Sequence, residues 1–79
     1  MKNTLEYIVK LIVDKPDEVS ISESEVEDTT VFSISVSPED MGKVIGKNGK
    51  IIHAIRNIMK VAAIKEQKRI RVELLESKS

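Results

Sequence analysis

Residues 42–56 read Gly-Lys-Val-Ile-Gly-Lys-Asn-Gly-Lys-Ile-Ile-His-Ala-Ile-Arg and contain all three glycines of the chain, Gly42, Gly46 and Gly49. Glycine turns the backbone sharply and lets another chain approach it closely, so the tightest turn is expected in this stretch. Apolar residues resume helical spacing after Gly49, so the turn opens a helix. Backbone N–H groups at a helix start lack intrahelical partners and favour anions. Lys43, Lys47 and Lys50 flank the turn. A glycine turn, a fresh helix N-terminus and flanking lysines together make a seat for phosphate.

A chain of 79 residues suggests one domain, and we assign residues 1–76 to it with 77–79 as a frayed tail. So short a chain buries only ~60% of its unfolded surface, so its core is thin and a partner subunit would add to it. There is no cysteine, and His53 is the only histidine, so neither a metal site nor a cofactor is expected. Lys2, Glu6 and Lys10 interrupt the apolar N-terminal stretch, which excludes a signal-peptide core. No run reaches the ~18 apolar residues of a membrane span. A soluble cytoplasmic protein is expected.

Net charge is zero, yet the charges are segregated. Residues 1–41 hold three Lys/Arg against ten Asp/Glu, whereas residues 42–71 hold nine against one. A basic segment centred on a glycine turn is an electrostatic footprint for nucleic acid that the whole-chain balance hides. A charge run alone more often marks a solvated helix face. The glycine turn inside this run favours the nucleic-acid account.

Asn3 and Glu6 have the spacing of a capping box, and Leu5, Ile8, Val9 and Ile12 form one apolar face, predicting a helix over 4–14 that Pro16 stops. Tyr7 is read as packing or surface. Val19 and Ile21, with Val26, interleave with Ser and Glu and predict a strand over 18–26. After a polar turn at Glu27-Asp28-Thr29, strict alternation of Phe32, Ile34 and Val36 with serines predicts a strand over 31–37, paired antiparallel to the first. Ser37-Pro38-Glu39-Asp40 is a helix start, with serine capping and proline in the first turn. That helix reaches about Ile45, and a longer one is expected over 50–64. Ile70, Val72 and Leu74 alternate with charged residues and predict a last strand over 69–75. The crossover through two helices permits parallel pairing with strand 31–37. The expected fold is α+β, in the order α-β-β-α-α-β, with a three-stranded mixed sheet and three helices on one face.

Val44-Ile45-Gly46-Lys47-Asn48-Gly49, followed by Ile52 and Ile55, resembles the signature of the KH-domain family. The element order is similar to that of the bacterial type of KH domain, and the resemblance spans the whole chain. It implies single-stranded RNA binding, self-association and pairing with a larger KH-containing partner. Among small stand-alone bacterial members it also implies RNA-chaperone or post-transcriptional regulatory roles tied to cell-wall homeostasis, cell length and division. KH domains clamp about four nucleotides with the glycine loop on the RNA backbone. The resemblance then implies that Gly46 and Gly49 admit the backbone, while Lys47, Asn48, Lys43 and Lys50 meet phosphates. Ile45 and Ile52 would floor the groove for bases, with His53 and Arg56 beside the RNA path. Arg69 and Arg71, on the last strand, are either contacts or solvated edge charges. No aromatic lines this groove, so stacking worth ~1–3 kcal/mol per base is missing and one domain should bind weakly.

Two other classes compete. Gly42-Lys43-Val44-Ile45-Gly46-Lys47-Asn48 has three residues between glycines where a nucleotide-binding P-loop needs four, and Asn48 stands where Ser or Thr holds magnesium. No nucleophile, base and oxyanion set stands out, so an enzyme is not expected. A protein-interaction module with a vestigial loop is the other class; Lys47 and Asn48 argue against it. Self-association has its own signal in the second long helix. Ile52, Ile55, Met59 and Ala62 form one apolar stripe, assigned to the sheet, and Ile51, Ala54, Ile58 and Val61 form a second. Either a wide core covers both stripes, or the second is a symmetric dimer interface centred on Ile58.

Overall fold

The computed structural model describes residues 1–75. The expected tail at 77–79 lies outside them. Helices α1 (Lys2–Ile12), α2 (Met41–Ile45) and α3 (Lys50–Lys65) accompany strands β1 (Ser20–Val26), β2 (Thr29–Ser35) and β3 (Arg69–Leu74). β2 is central, antiparallel to β1 and parallel to β3. This is the expected α+β fold with a mixed three-stranded sheet.

Alternation dictates which sheet face is buried. Ile21, Phe32, Ile34 and Val72 share one face through the pairs Ile21↔Ile34 and Phe32↔Val72, and all four are buried. Leu5 and Val9 of α1, Val44 of α2, and Ile52, Ile55 and Met59 of α3 complete the core. The two-residue link Glu27-Asp28 joins β1 to β2 with both residues at positive φ, 48° and 64°. Such a turn matches the twist of a hairpin and sets its register. Thr29, expected in the turn, instead opens β2 opposite Val26.

Several element ends differ from expectation, each for a local reason. α1 spans 2–12 rather than 4–14, and Asn3 lies inside it without capping it; the Met1 carbonyl accepts the Leu5 N–H at 3.1 Å. The helix ends before Pro16 could stop it, because Val13 is extended (φ −101°, ψ 156°). The next two amides, of Asp14 and Lys15, donate to the Asp40 carboxylate at 3.1 and 3.0 Å. β1 starts late because Pro16–Glu18 forms a 3-10 turn. Val26 is 57% exposed and takes no part in the core. β2 ends at Ser35, and Val36 and Ser37 are buried beyond it. Ser37 makes no side-chain cap; its carbonyl accepts the Asp40 N–H at 2.8 Å in a 3-10 turn that has Pro38 first.

Asp40 was legible only as a helix-start acid, yet its side chain is 1% exposed and holds a connection twenty-six residues away. A buried carboxylate is costly unless its lone pairs are met, and hydrogen bonds to a charged group contribute about 1.5–3 kcal/mol. The two amides meet that need and fasten the end of α1 to the start of α2. Lys15 and Lys43 reinforce the joint through Glu39, at 3.0 Å, and Asp14. These outer pairs are exposed and contribute little by themselves.

α3 ends as its polar connection suggests. Gln67 adopts φ 56°, its N–H donates to the Ile64 carbonyl, and the Lys68 N–H donates to the Ala63 carbonyl. That is a Schellman closure with glutamine in the position glycine usually takes. No described helix is long and apolar enough to cross a membrane.

Candidate nucleic-acid interface

The turn between α2 and α3 is built on its two glycines. Gly46 has φ 75° and ψ 174°, a conformation open essentially to glycine alone. A Cβ on Gly46 would also fall 2.5 Å from the Ile51 side chain. Gly49 has φ 74° and ψ 14°, with open space where its Cβ would stand. Between them Lys47, Asn48 and Gly49 form a 3-10 turn, with Asn48 itself left-handed at φ 58°. Asparagine tolerates that region better than most residues. Lys47, Asn48 and Lys50 are exposed, so two ammonium groups and an amide stand on the surface of the turn.

The backbone offers less than the sequence implies. The Gly49 N–H donates to the Gly46 carbonyl at 3.2 Å, and the Lys50 N–H donates to the Lys47 carbonyl. Two amides at the start of α3 are therefore already bonded. No side chain caps the helix. Lys43 is shared as well: its ammonium pairs with Asp14, and hydrogen bonding to that carboxylate raises its pKa above the usual lysine value. Lys15 is raised in the same way by Glu39.

The remaining predicted residues separate into those near the turn and those elsewhere. Ile45 is 38% exposed beside the turn. Ile52, expected both on the groove floor and against the sheet, is 7% exposed and belongs to the core. His53 is exposed on α3. Arg56 faces the free edge of β3, where its Nε donates to the Val72 carbonyl at 3.1 Å. Arg56, Lys60 and residues 70–73 line a groove of about 520 Å³ between α3 and β3. Lys60 was not singled out as a site residue, and its place on the polar face of α3 with His53 and Arg56 was the available signal. Arg69 and Arg71 alternate with the inward Ile70 and Val72, so they stand on the sheet face away from the helices; Arg71 pairs with Glu73 at 3.7 Å.

The second stripe of α3 is open. Ile51 is 37% exposed, Ile58 49% and Val61 55%, and Ala54 is exposed with them. The core of one chain therefore does not cover both stripes. On the inner stripe Ala63, rather than Ala62, is the fully buried alanine. Among the described residues no group of His, Cys, Asp and Glu could hold a metal ion.

A family model described as KhpA/KhpB, KH domain, matches residues 2–74. The chain belongs to this KH-domain family. It is 53% identical over 75 residues to RNA-binding protein KhpA of Clostridium acetobutylicum, covering 95% of this chain and all of that protein. RNA-binding protein KhpA of Clostridium perfringens is 51% identical over the same share of both chains. The protein of that name from Listeria monocytogenes is 42% identical over 96% of this chain and all of its own. The KhpA/KhpB family is not an enzyme class. A crystal structure of Era from Aquifex aeolicus superposes with a TM-score of 0.66 over 95% of this chain and 29% of that one. At 14% identity that likeness shows the fold alone.

The two glycines should differ sharply when substituted. Gly49→Ala incurs only left-handed strain, about 1–2 kcal/mol. Gly46→Ala adds a clash with Ile51 to backbone strain and should cost roughly 3 kcal/mol or more. Urea unfolding measures both, and equal losses would contradict the close Gly46–Ile51 packing.

Proposed function

We propose that this chain binds single-stranded RNA, seating the RNA backbone against the Gly46–Gly49 turn at the start of α3. The observation that carries this reading is the turn's geometry. Two glycines at positive φ expose Lys47 and Asn48 at its tip, with Lys50 beside them. The names of the KhpA relatives support RNA as the ligand. Because the Gly49 and Lys50 amides are internally bonded, the lysine and asparagine side chains carry most of the phosphate contact. The α3–β3 groove takes the bases. Following the family resemblance, we assign the chain an RNA-chaperone or post-transcriptional role linked to cell-wall homeostasis and cell length.

The loop is tested by Lys47→Asp combined with Asn48→Asp. Both side chains are exposed, so the fold should survive with a change of less than ~0.5 kcal/mol, while RNA binding is lost. The parent's binding should weaken with salt at a slope near −0.7 per phosphate contact, roughly −2 in all. A folded double variant that binds as well as the parent would overturn the reading.

We also propose that the exposed stripe Ile51, Ala54, Ile58 and Val61 joins two copies of the chain about a two-fold axis. A symmetric interface needs one self-complementary patch, and this stripe supplies one. Two weak grooves on one particle would then act together. A KhpB-type protein is the second partner suggested by the family's name. Ile58→Lys is expected to give a folded monomer with weaker RNA binding in sedimentation and circular dichroism. Adding the KhpB-type protein to the same sedimentation run tests the mixed assembly. An unchanged dimer would remove Ile58 from the interface.

A further inference from the structure

β3 is an edge strand, and alternate residues of a strand send both backbone groups to the same side. The Leu75 N–H donates to the Ile34 carbonyl at 2.8 Å, so odd-numbered residues turn their backbone groups toward β2. Ile70, Val72 and Leu74 turn theirs toward the groove, where Arg56 holds the Val72 carbonyl. Side chains divide between the two faces of the sheet. Ile70 and Val72 point into the core, while Arg69 and Arg71 stand exposed on the face that no helix covers.

Strand register gives the rest of that outer face. Val31 lies between Ser24 and Arg71, and Thr29 lies between Val26 and Arg69. Glu23 and Glu25 alternate with the β1 serines and so fall on the helix side with Phe32. Glu73 is the one strand acid on the outer face, and it pairs with Arg71 at 3.7 Å. That pair is exposed, so exchanging the carboxylate for another anion costs little. Arg69 belongs to none of the described ion pairs.

The α3–β3 groove continues past the edge of β3. A second hollow of about 520 Å³ opens on the outer face, with Thr29, Val31 and Arg69 in its wall. Ile70 and Arg71 line both the groove and this hollow. One concave path thus runs from Arg56 and Lys60, over the rim at Ile70 and Arg71, to Arg69. Two residues apart on a strand, the arginines are separated by about 6.6 Å along it, close to the spacing of neighbouring phosphates on an extended nucleic acid. Guanidinium groups bind phosphate oxygens in paired hydrogen bonds. Beyond Arg69 the acids Glu25, Glu27 and Asp28 border the surface and end the path.

We propose that the outer face of β3 is a second RNA-contact segment: a strand longer than the groove crosses the edge at Ile70, and Arg71 and Arg69 hold its next two phosphates. This rests on the RNA-binding function proposed above. About four nucleotides fill the groove of a KH domain, so only longer RNA reaches these arginines.

The test compares oligo(rU) of four and of ten nucleotides by fluorescence anisotropy across a salt series. The proteins are the parent and Arg69→Gln combined with Arg71→Gln, which stays polar and loses both charges. The double variant should bind the four-nucleotide RNA as the parent does. It should bind the ten-nucleotide RNA roughly tenfold more weakly, with a salt slope smaller by about 1.4. Circular dichroism establishes that the variant is folded. If it is not, the two single variants carry the comparison, each expected to reduce the slope by about 0.7. Unchanged affinity for the longer RNA would make the arginines solvated edge charges and overturn the second segment. An equal loss on both lengths would overturn it too, by placing the arginines in the groove. Either result leaves RNA binding standing. A parent that binds neither RNA would overturn RNA binding itself and the second segment with it.

Discussion

Ile51 packs so closely on Gly46 that no side chain fits between them. That approach determines how α3 leaves the turn. With α3 so placed, Ile52, Ile55, Met59 and Ala63 reach the core, and Met59 is completely buried. The same placement lifts Lys47 and Asn48 away from the body of the protein and directs Arg56 to the edge of β3. A turn without glycine at 46 would have to rotate the helix, and each of these consequences would move with it. Core and surface are thus specified by one contact rather than by two separate features.

A second constraint acts on the other side of α2. The buried Asp40 carboxylate binds the amides that follow α1, and Lys43 and Lys15 neutralise acids around it. The acidic half of the chain is therefore partly engaged with the start of the basic half. This arrangement leaves Lys47 and Lys50 as the cations of the turn with no acid drawn to them among the described ion pairs. The segregation of charge along the sequence is not kept in space: Lys43 pairs with Asp14, and Glu25 and Asp28 line one surface hollow with Lys68 and Arg69.

Patterns local to a few residues were legible in the sequence. Period-two spacing identified Phe32 and Ile34, helical spacing identified Leu5 and Val9, and the two glycines identified the turn. Contacts between distant residues were not. Nothing near Asp40 announces that its partners are Asp14 and Lys15, and nothing near Arg56 announces Val72. Element ends were misplaced where such contacts govern them, as at Ile12, or where a 3-10 turn intervenes, as at Pro16–Glu18. Ile52 could be read either as groove floor or as core because both roles need an apolar residue at that spacing. Only the packed structure, at 7% exposure, assigns it to the core. Periodicity distinguished the two stripes of α3 but not whether the second is covered, which depends on how wide the sheet is.

The central claim is that one surface, running from the Gly46–Gly49 turn along α3 to the free edge of β3, receives RNA. It is tested most directly by following backbone amide chemical shifts of the isotope-labelled protein during titration with a short single-stranded RNA. The account predicts the largest shifts at Gly46, Lys47, Asn48, Gly49 and Lys50, with a second set at Ile70, Val72 and Leu74, and β1 unmoved. Shifts confined to β1 or to the Ile58–Val61 stripe, with the turn's amides unmoved, would contradict it.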